Sequence, residues 1–342
     1  MSPVREMFLF VLSALVQAVF GGFAAKPEGA RAGVVGSCPV RVPDFLPAAR
    51  GAAFQTVFAN LFGPSVDYSE RETVGGAVVD WVHSAPAGPR RGVVVVFHGI
   101  GGSSASPGVR RVVREAARRG FAVAVFNRRG HAPGLPMEGE FPDHACDADT
   151  REVLERVAQR YSPVYAIGIS AGANALVRYL GGESPSVAAA VSVCNPLDLN
   201  ACYDRLKARP RIDGMIASCA MAVYARHRPR FGARSMRDFD EIVTGRPLGE
   251  YYAEQGSAEA LRVTRVPTLC IGAENDPIVD KCILDLHDEA ARANPRVVSV
   301  RTAEGGHCGW VSRGGAWMEP LALDFLESCG ETTGRGRPQP CS

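Results

Sequence analysis

Val164-Tyr165-Ala166-Ile167-Gly168-Ile169-Ser170-Ala171-Gly172-Ala173-Asn174 is the stretch that decides the fold. An apolar run of β type leads into Gly168-Ile169-Ser170-Ala171-Gly172, and helix-forming residues follow from Ala171 to Leu180. A G-x-S-x-G between a strand and a helix forces the serine into a sharp turn with its hydroxyl exposed. Glycines on either side allow backbones to meet where a Cβ would clash. The serine then stands at a helix N-terminus, where backbone N–H groups favour a developing negative charge. A Gly-rich βα turn with an exposed serine has the same letters, so the rest of the chain must support the reading.

Working outward, strands and helices alternate. Val93–Phe97 reads as a fully buried strand, Val109–Arg119 as a helix, Phe121–Phe126 as a strand and Thr150–Arg160 as a helix. After the serine turn come strands at Val187–Cys194, Pro267–Gly272 and Arg296–Arg301, with helices at Lys281–Ala293 and Trp317–Ser328. Such alternation calls for an α/β fold, a mostly parallel central sheet with helices on both faces. The pattern breaks between Asp198 and Val263, a long, partly helical and charged stretch. It follows the strand after the serine helix, so it should emerge at the carboxyl edge of the sheet, where ligands bind in open α/β sheets. Residues 198–263 are therefore expected to form a helical cap over the site.

The 342 residues suffice for one large α/β domain, expected over 46–330. With 38 Lys+Arg against 36 Asp+Glu, the near-zero net charge does not suggest a nucleic-acid partner. Ten cysteines are present and none form a C-x-x-C pair, which argues against zinc. Cys194 and Cys270 lie in apolar runs that suit buried thiols; a disulfide using Cys38 or Cys341 stays open. No cofactor is expected.

Met7–Ala25 carries no charged residue and is long enough to span a bilayer as a helix. Arg5 before it and Gly22, Ala24 and Ala25 within it suit a cleaved leader instead. Length favours an uncleaved anchor over residues 1–25, hence a membrane-associated protein, with secretion or an organelle lumen as the alternative. Residues 26–45, rich in Gly, Ala, Arg and Pro, read as a linker, and 331–342 as a disordered tail.

A serine hydroxyl is a poor nucleophile until a base takes its proton, and that base is usually a histidine held by a carboxylate. Of seven histidines, His307 stands out in Glu304-Gly305-Gly306-His307-Cys308-Gly309-Trp310, just past the last strand. Asp276, in Gly272-Ala273-Glu274-Asn275-Asp276-Pro277, is the matching carboxylate, with Glu274 and Asp280 as near competitors and Asp198 as a distant one. The order Ser, Asp, His is one in which such triads occur. An oxyanion needs two N–H donors. Ala171, directly after the serine, supplies one. Ile100, in His98-Gly99-Ile100-Gly101-Gly102-Ser103-Ser104, is the choice for the other. His98 reads as structural. His144-Ala145-Cys146-Asp147-Ala148-Asp149 fits H-x-x-x-x-D, a pattern associated with acyltransferases, but Asp149 equally suits the cap of the helix that follows. Arg128 and Arg129 follow the second buried strand; a structural role outweighs phosphate binding for both.

From about Pro43 to about Leu326 the chain resembles the α/β-hydrolase group of the bacterial YheT esterases, the plant embryogenesis-associated hydrolases and the animal α/β-hydrolase domain proteins 1 to 3. The resemblance rests on several ordered marks. They are Gln55-Thr56-Val57, Arg71-Glu72, Asp80-Trp81, the 98–104 run with Ser106-Pro107, and Asn127–Gly130. Further along come Asp198-Leu199, Asp238-Phe239-Asp240, Tyr251-Tyr252, Ser257-Ala258, Asp276-Pro277 and Gly305–Val311. It implies the α/β-hydrolase fold, a Ser170–Asp276–His307 triad and activity on carboxylic esters, with acylglycerols or phospholipids as substrates in several members. Many eukaryotic members carry one N-terminal membrane helix, matching Met7–Ala25, and some carry the acyltransferase-like pattern at His144 and Asp149. Two departures stand out: Ser170-Ala171-Gly172-Ala173-Asn174 replaces the usual Ser-Leu-Gly-Gly-Asn, and Asn275 replaces the first of a usual pair of aspartates.

Overall fold

The structure is a computed structural model, described here for residues 32–48, 51–61, 63–83, 91–137, 140–227, 232–312 and 315–334. Its nine described strands are β1 (Gly33–Val35), β2 (Glu70–Val74), β3 (Ala77–Val82), β4 (Val93–Phe97), β5 (Ala122–Asn127), β6 (Val164–Ile169), β7 (Ala189–Val193), β8 (Thr268–Ala273) and β9 (Val297–Thr302). They form one sheet in the order β1-β9-β8-β7-β6-β4-β5-β3-β2. The run from β5 through β4, β6, β7 and β8 to β9 is parallel, and β1, β2 and β3 pair antiparallel at the two sides. The order reverses between β4 and β6, the switch point where an α/β sheet opens a crevice at its carboxyl edge.

The six parallel strands are largely apolar because helices cover both faces. One face packs helices Pro107–Arg118, Lys281–Ala293 and Met318–Gly334 against residues such as Val96, Ile167 and Ile271. The other packs Asp147–Arg160 and Ala171–Leu180 against Val95, Ala166 and Trp81. Apart from the C-terminal end of the last helix, the sequence expectations for these elements hold to within three residues at each end.

Three differences arise at the ends of the sheet. The stretch read as a linker contains β1, which pairs with Ser299–Arg301, and Phe45, which is buried with its ring 5.5 Å from that of Trp317. Three residues are too few to show a period, yet they cover the otherwise open edge of β9. Strands β2 and β3 also go beyond the sequence reading, joined by a Gly75–Gly76 turn whose two-residue length is the common hairpin signal. The last helix runs to Gly334, past Ser328 and into the stretch expected to be a tail. Once a helix is nucleated and packed, each added residue brings its own hydrogen bond.

Between β7 and β8 lie helices Leu199–Lys207, Pro210–Tyr224, Met236–Thr244, Leu248–Gln255 and Ala258–Val263. The first four share a core of their own, built on Leu199, Leu206, Ile216, Met236, Tyr251 and Tyr252, against which Ile100 and Ile278 from sheet-edge loops also pack. Met7–Ala25 lies outside the described residues; among those described no helix is long and apolar enough to cross a membrane. Cys38 is a free thiol, and Cys341 lies outside the described residues.

Candidate active site

Ser170 sits between β6 and the helix Ala171–Leu180 with φ 55° and ψ −121°. A non-glycine residue held there stores about 1–3 kcal/mol of backbone strain, which only an over-determined surrounding maintains. The surrounding is visible. Ser170 N–H donates to the Val193 carbonyl at 2.8 Å. A Cβ on Gly172 would stand 2.5 Å from the carbonyl oxygens of both Phe97 and His98, and one on Gly168 would stand 2.5 Å from the Ala173 Cα. Both glycines are thus fixed by close approach, and the serine turn is wedged against the end of β4.

His307 meets the serine from the loop after β9. Its Nε2 is 2.9 Å from Ser170 Oγ, and its Nδ1 is 2.8 Å from Asp276 Oδ2. The other oxygen of Asp276 accepts from the amides of Ile278 and Val279, at 2.7 and 2.9 Å. With Oδ2 facing Nδ1, the histidine proton belongs on Nδ1 and the Nε2 lone pair faces the hydroxyl. Burial disfavours the imidazolium, but the adjacent Asp276 carboxylate more than offsets it, and the His307 pKa is raised above its ordinary value of 6.5. The competing carboxylates are engaged elsewhere. Asp198 and Asp280 cap helices through the amides of Ala201 and Cys282, and Glu274 faces Arg301.

The histidine loop is held by residues the sequence reading gave no role. Thr56 Oγ1 accepts from the His307 amide at 2.8 Å, and Gln55 Oε1 accepts from the Val311 amide at 2.6 Å. Asn275 accepts from the Gly306 amide at 2.8 Å and donates to Glu304 at 2.6 Å. An amide can do both; a carboxylate could not donate to Glu304. The signal for Gln55 and Thr56 lay in the resemblance, which marked them without a reason.

Ile100 lies in a tight turn in which the Gly102 amide donates to the Gly99 carbonyl at 3.1 Å. His98 Nδ1 also donates to that carbonyl, at 2.8 Å, while its Nε2 accepts from the Arg128 amide at 3.2 Å. Burial pushes the His98 pKa down to about 4, so the ring is neutral and its two bonds fix the tautomer. In a trans peptide the N–H points opposite to the C=O, so this grip on Gly99 turns the Ile100 N–H away from His98. A Cβ on Gly99 would lie 3.1 Å from the Ser170 Cβ, which puts that peptide beside the serine. Among the described residues no loop or cap bond takes the amides of Ile100 and Ala171. The turn is tied down further by Ser104, whose amide donates to Asn127 Oδ1 and whose hydroxyl donates to buried Asp80.

The H-x-x-x-x-D pair does not form. Asp149 receives two bonds from Arg129, at 2.6 and 2.9 Å, and sits inside the first turn of a helix that already begins at Asp147, so it is not the cap either. His144 turns the other way and pairs with Asp240 at 3.0 Å. Arg128 bonds Cys146 Sγ and the Asp143 and His144 carbonyls, so neither arginine is available to a phosphate. Among the described residues Cys194, His307 and Cys308 bring three metal-ligand atoms within 4.8 Å of one another. Both imidazole nitrogens are already turned to Ser170 and Asp276, so a metal there would have to break the serine–histidine–aspartate line.

A cavity of about 370 Å³ opens onto Ser170 and His307. Its far wall is largely apolar and comes from the helices after β7, with Leu199, Leu206, Met215 and Ile216, while Val109 and Ile278 line the sheet side. That size suits a small organic ligand.

Residues 93–319 match the model of the alpha/beta hydrolase family. The chain belongs to the α/β-hydrolase family. It is 31% identical over 325 residues to the embryogenesis-associated protein EMB8 of Picea glauca, covering 80% of this chain and 69% of that protein. To the medium-chain fatty acid ethyl ester synthase/esterase 2 of Saccharomyces cerevisiae it is 28% identical, over 68% of this chain and 61% of that one. In fold it is similar to a Pyrococcus furiosus esterase, with a TM-score of 0.56 at 15% identity, covering 79% of this chain and 96% of that one. This α/β-hydrolase is an enzyme of ester hydrolysis.

Proposed function

We propose that this α/β-hydrolase cleaves lipid esters through an acyl-enzyme on Ser170. His307 takes the hydroxyl proton as Ser170 attacks the ester carbonyl, and Asp276 orients the ring and stabilises its cation. The amides of Ile100 and Ala171 hold the oxyanion. His307 then passes its proton to the leaving alcohol, and water, deprotonated by the same ring, releases the acid. The observation that carries this reading is the continuous hydrogen-bonded line from Asp276 through His307 to Ser170 at the mouth of an apolar cavity.

The apolar wall supports a fatty acyl chain as the acid half. Each methylene moved from water into such a wall contributes about 0.8 kcal/mol, so kcat/KM should rise about fourfold per added carbon until the cavity is filled. The name of the yeast relative, which mentions fatty acid ethyl esters, points the same way. The residue-level case for acyl transfer based on His144 with Asp149 loses its premise, since the two do not meet. A non-catalytic lipid binder on the same fold would have no need of an ordered line of proton-handling groups.

The test is Ser170→Ala. It should abolish labelling by a fluorophosphonate probe and reduce turnover of a p-nitrophenyl ester by about 10⁶-fold. Retained activity would end the reading. Met7–Ala25 is proposed as a membrane anchor; the full chain should stay with alkaline-washed membranes and a chain lacking residues 1–25 should not.

A further inference from the structure

Two free thiols adjoin the imidazole that faces Ser170. Cys194 is the residue after β7, and Cys308 directly follows His307. Both sulfurs and a ring nitrogen of His307 lie within 4.8 Å of one another, and the Cys308 amide donates to Cys194 Sγ at 3.3 Å. Cys308 is half-buried and lines the cavity that opens onto Ser170, whereas Cys194 is fully buried. A small solute in the cavity therefore meets Cys308 first.

The backbones on both sides are held. The Cys194 amide donates to the Ile271 carbonyl at 2.8 Å. Thr56 grips the His307 amide, and the Gly305 carbonyl accepts from the amides of Gly309 and Trp310 at 3.1 Å. A Cβ on Gly309 would stand 2.4 Å from the Gln55 carbonyl oxygen, so the loop has no room to shift that way. Cys194 and Cys308 have φ 49° and 58°, a region where other residues than glycine persist only when their surroundings hold them. A disulfide fixes its sulfurs about 2.05 Å apart. Closing the gap between these two must be absorbed at Cys308 and at the ring beside it, which moves His307 relative to the serine oxygen.

We propose that Cys308 is an oxidation site for peroxides that enter the ester cavity, and that it goes on to form a disulfide with Cys194 that stops ester turnover reversibly. In the first step the Cys308 sulfur attacks one peroxide oxygen and the O–O bond breaks. The displaced hydroxide takes the thiol proton and leaves as water, and Cys308 becomes a sulfenic acid. In the second step the Cys194 sulfur attacks that of Cys308 and the S–O bond breaks. The Cys194 proton leaves with the displaced hydroxide as a second water. Two thiols are oxidised by two electrons, and one hydrogen peroxide is reduced to two waters. The effect on rate rests on the reading of His307 as the base; formation of the bond does not.

The experiment treats the full chain with hydrogen peroxide, removes the excess, blocks free thiols and maps the peptides without reduction. Wild type should yield the Cys194 and Cys308 peptides linked. Turnover of a p-nitrophenyl ester should fall at least about tenfold, since a misplacement of about 1 Å at a reacting group costs on the order of 100-fold. Dithiothreitol should restore it. Cys308→Ser should keep most of its own starting rate under the same treatment, while Cys282→Ser, which removes an exposed thiol, should be inactivated like wild type. The proposal is overturned if wild type yields no linked pair while Cys282 is oxidised, or if the pair forms and turnover is unchanged. Inactivation that dithiothreitol does not reverse, or that Cys308→Ser shares, overturns it as well. The wild-type peptide map and the recovery need no variant. Ser170→Ala should form the same disulfide, so failure of the nucleophile reading, seen as turnover that survives that substitution, is a separate result.

Discussion

The Nε2 atom of His307 stands 2.9 Å from the hydroxyl oxygen of Ser170, across 137 positions of sequence. Nothing local joins them. One ends a βα turn beside β7, the other hangs from a loop held by Thr56 and Asn275, and Asp276 closes the line behind.

That carboxylate sets the pH dependence. In the proposed mechanism the working form of His307 is the neutral ring; Asp276 stabilises the charged one, so the pKa is raised. In wild type kcat/KM should climb with pH along a limb centred above the ordinary value of 6.5 and level off once the ring is deprotonated. Asp276→Asn should move the limb to lower pH and cost about 10⁴-fold in kcat. Initial rates across a pH series check both; a wild-type limb at or below 6.5 would contradict the assignment.

His98 should act on rate through the Gly99 peptide it grips. His98→Ala releases the carbonyl that fixes the Ile100 N–H, and kcat should fall, by at most the roughly 100- to 1000-fold that one lost oxyanion donor costs. KM should change much less. Steady-state kinetics on a short ester decide it, and an equal loss in KM alone would assign His98 to substrate binding.

Gly172→Ala places a Cβ 2.5 Å from two carbonyl oxygens of the β4 end. Backbone cannot swing aside as a side chain can, so the cost should reach at least the 1–3 kcal/mol (about) of an overpacked core, with a lower Tm. Ala173→Gly, one residue on, has no such clash and serves as the comparison in thermal unfolding.

Thr56→Val strips the His307 amide of its acceptor, while Thr56→Ser keeps the oxygen. A partly buried amide left unpaired costs about 1–3 kcal/mol. The valine variant should lose both Tm and kcat and the serine variant should recover them; equal behaviour of the two would show that the hydroxyl is idle.

Much of the site was legible in the letters because the serine turn is local chemistry. Two glycines, an apolar run before and a helix after mark the turn at Ser170, and Asp276 and His307 each follow a recognisable strand. The histidine partner was not legible in the same way. His144 and Asp149 have a spacing that suggests a pair, but Arg129 claims Asp149 with two charge-assisted bonds, and Asp240 reaches His144 from a helix 96 positions away. Nor did composition disclose β1, since three residues carry no periodicity and matter only because β9 needs a neighbour.

The sequence by itself determined the alternating βα order, the place of the serine turn and the chain order of serine, aspartate and histidine, because local pattern and order are written in the letters; the strain at Ser170 is held by Val193 and the end of β4. Only the tertiary structure decided which carboxylate faces which imidazole and what wall closes the cavity. Those outcomes depend on distant segments competing for the same few hydrogen-bonding atoms, and proximity in space, unlike proximity in sequence, is settled by how the layers pack.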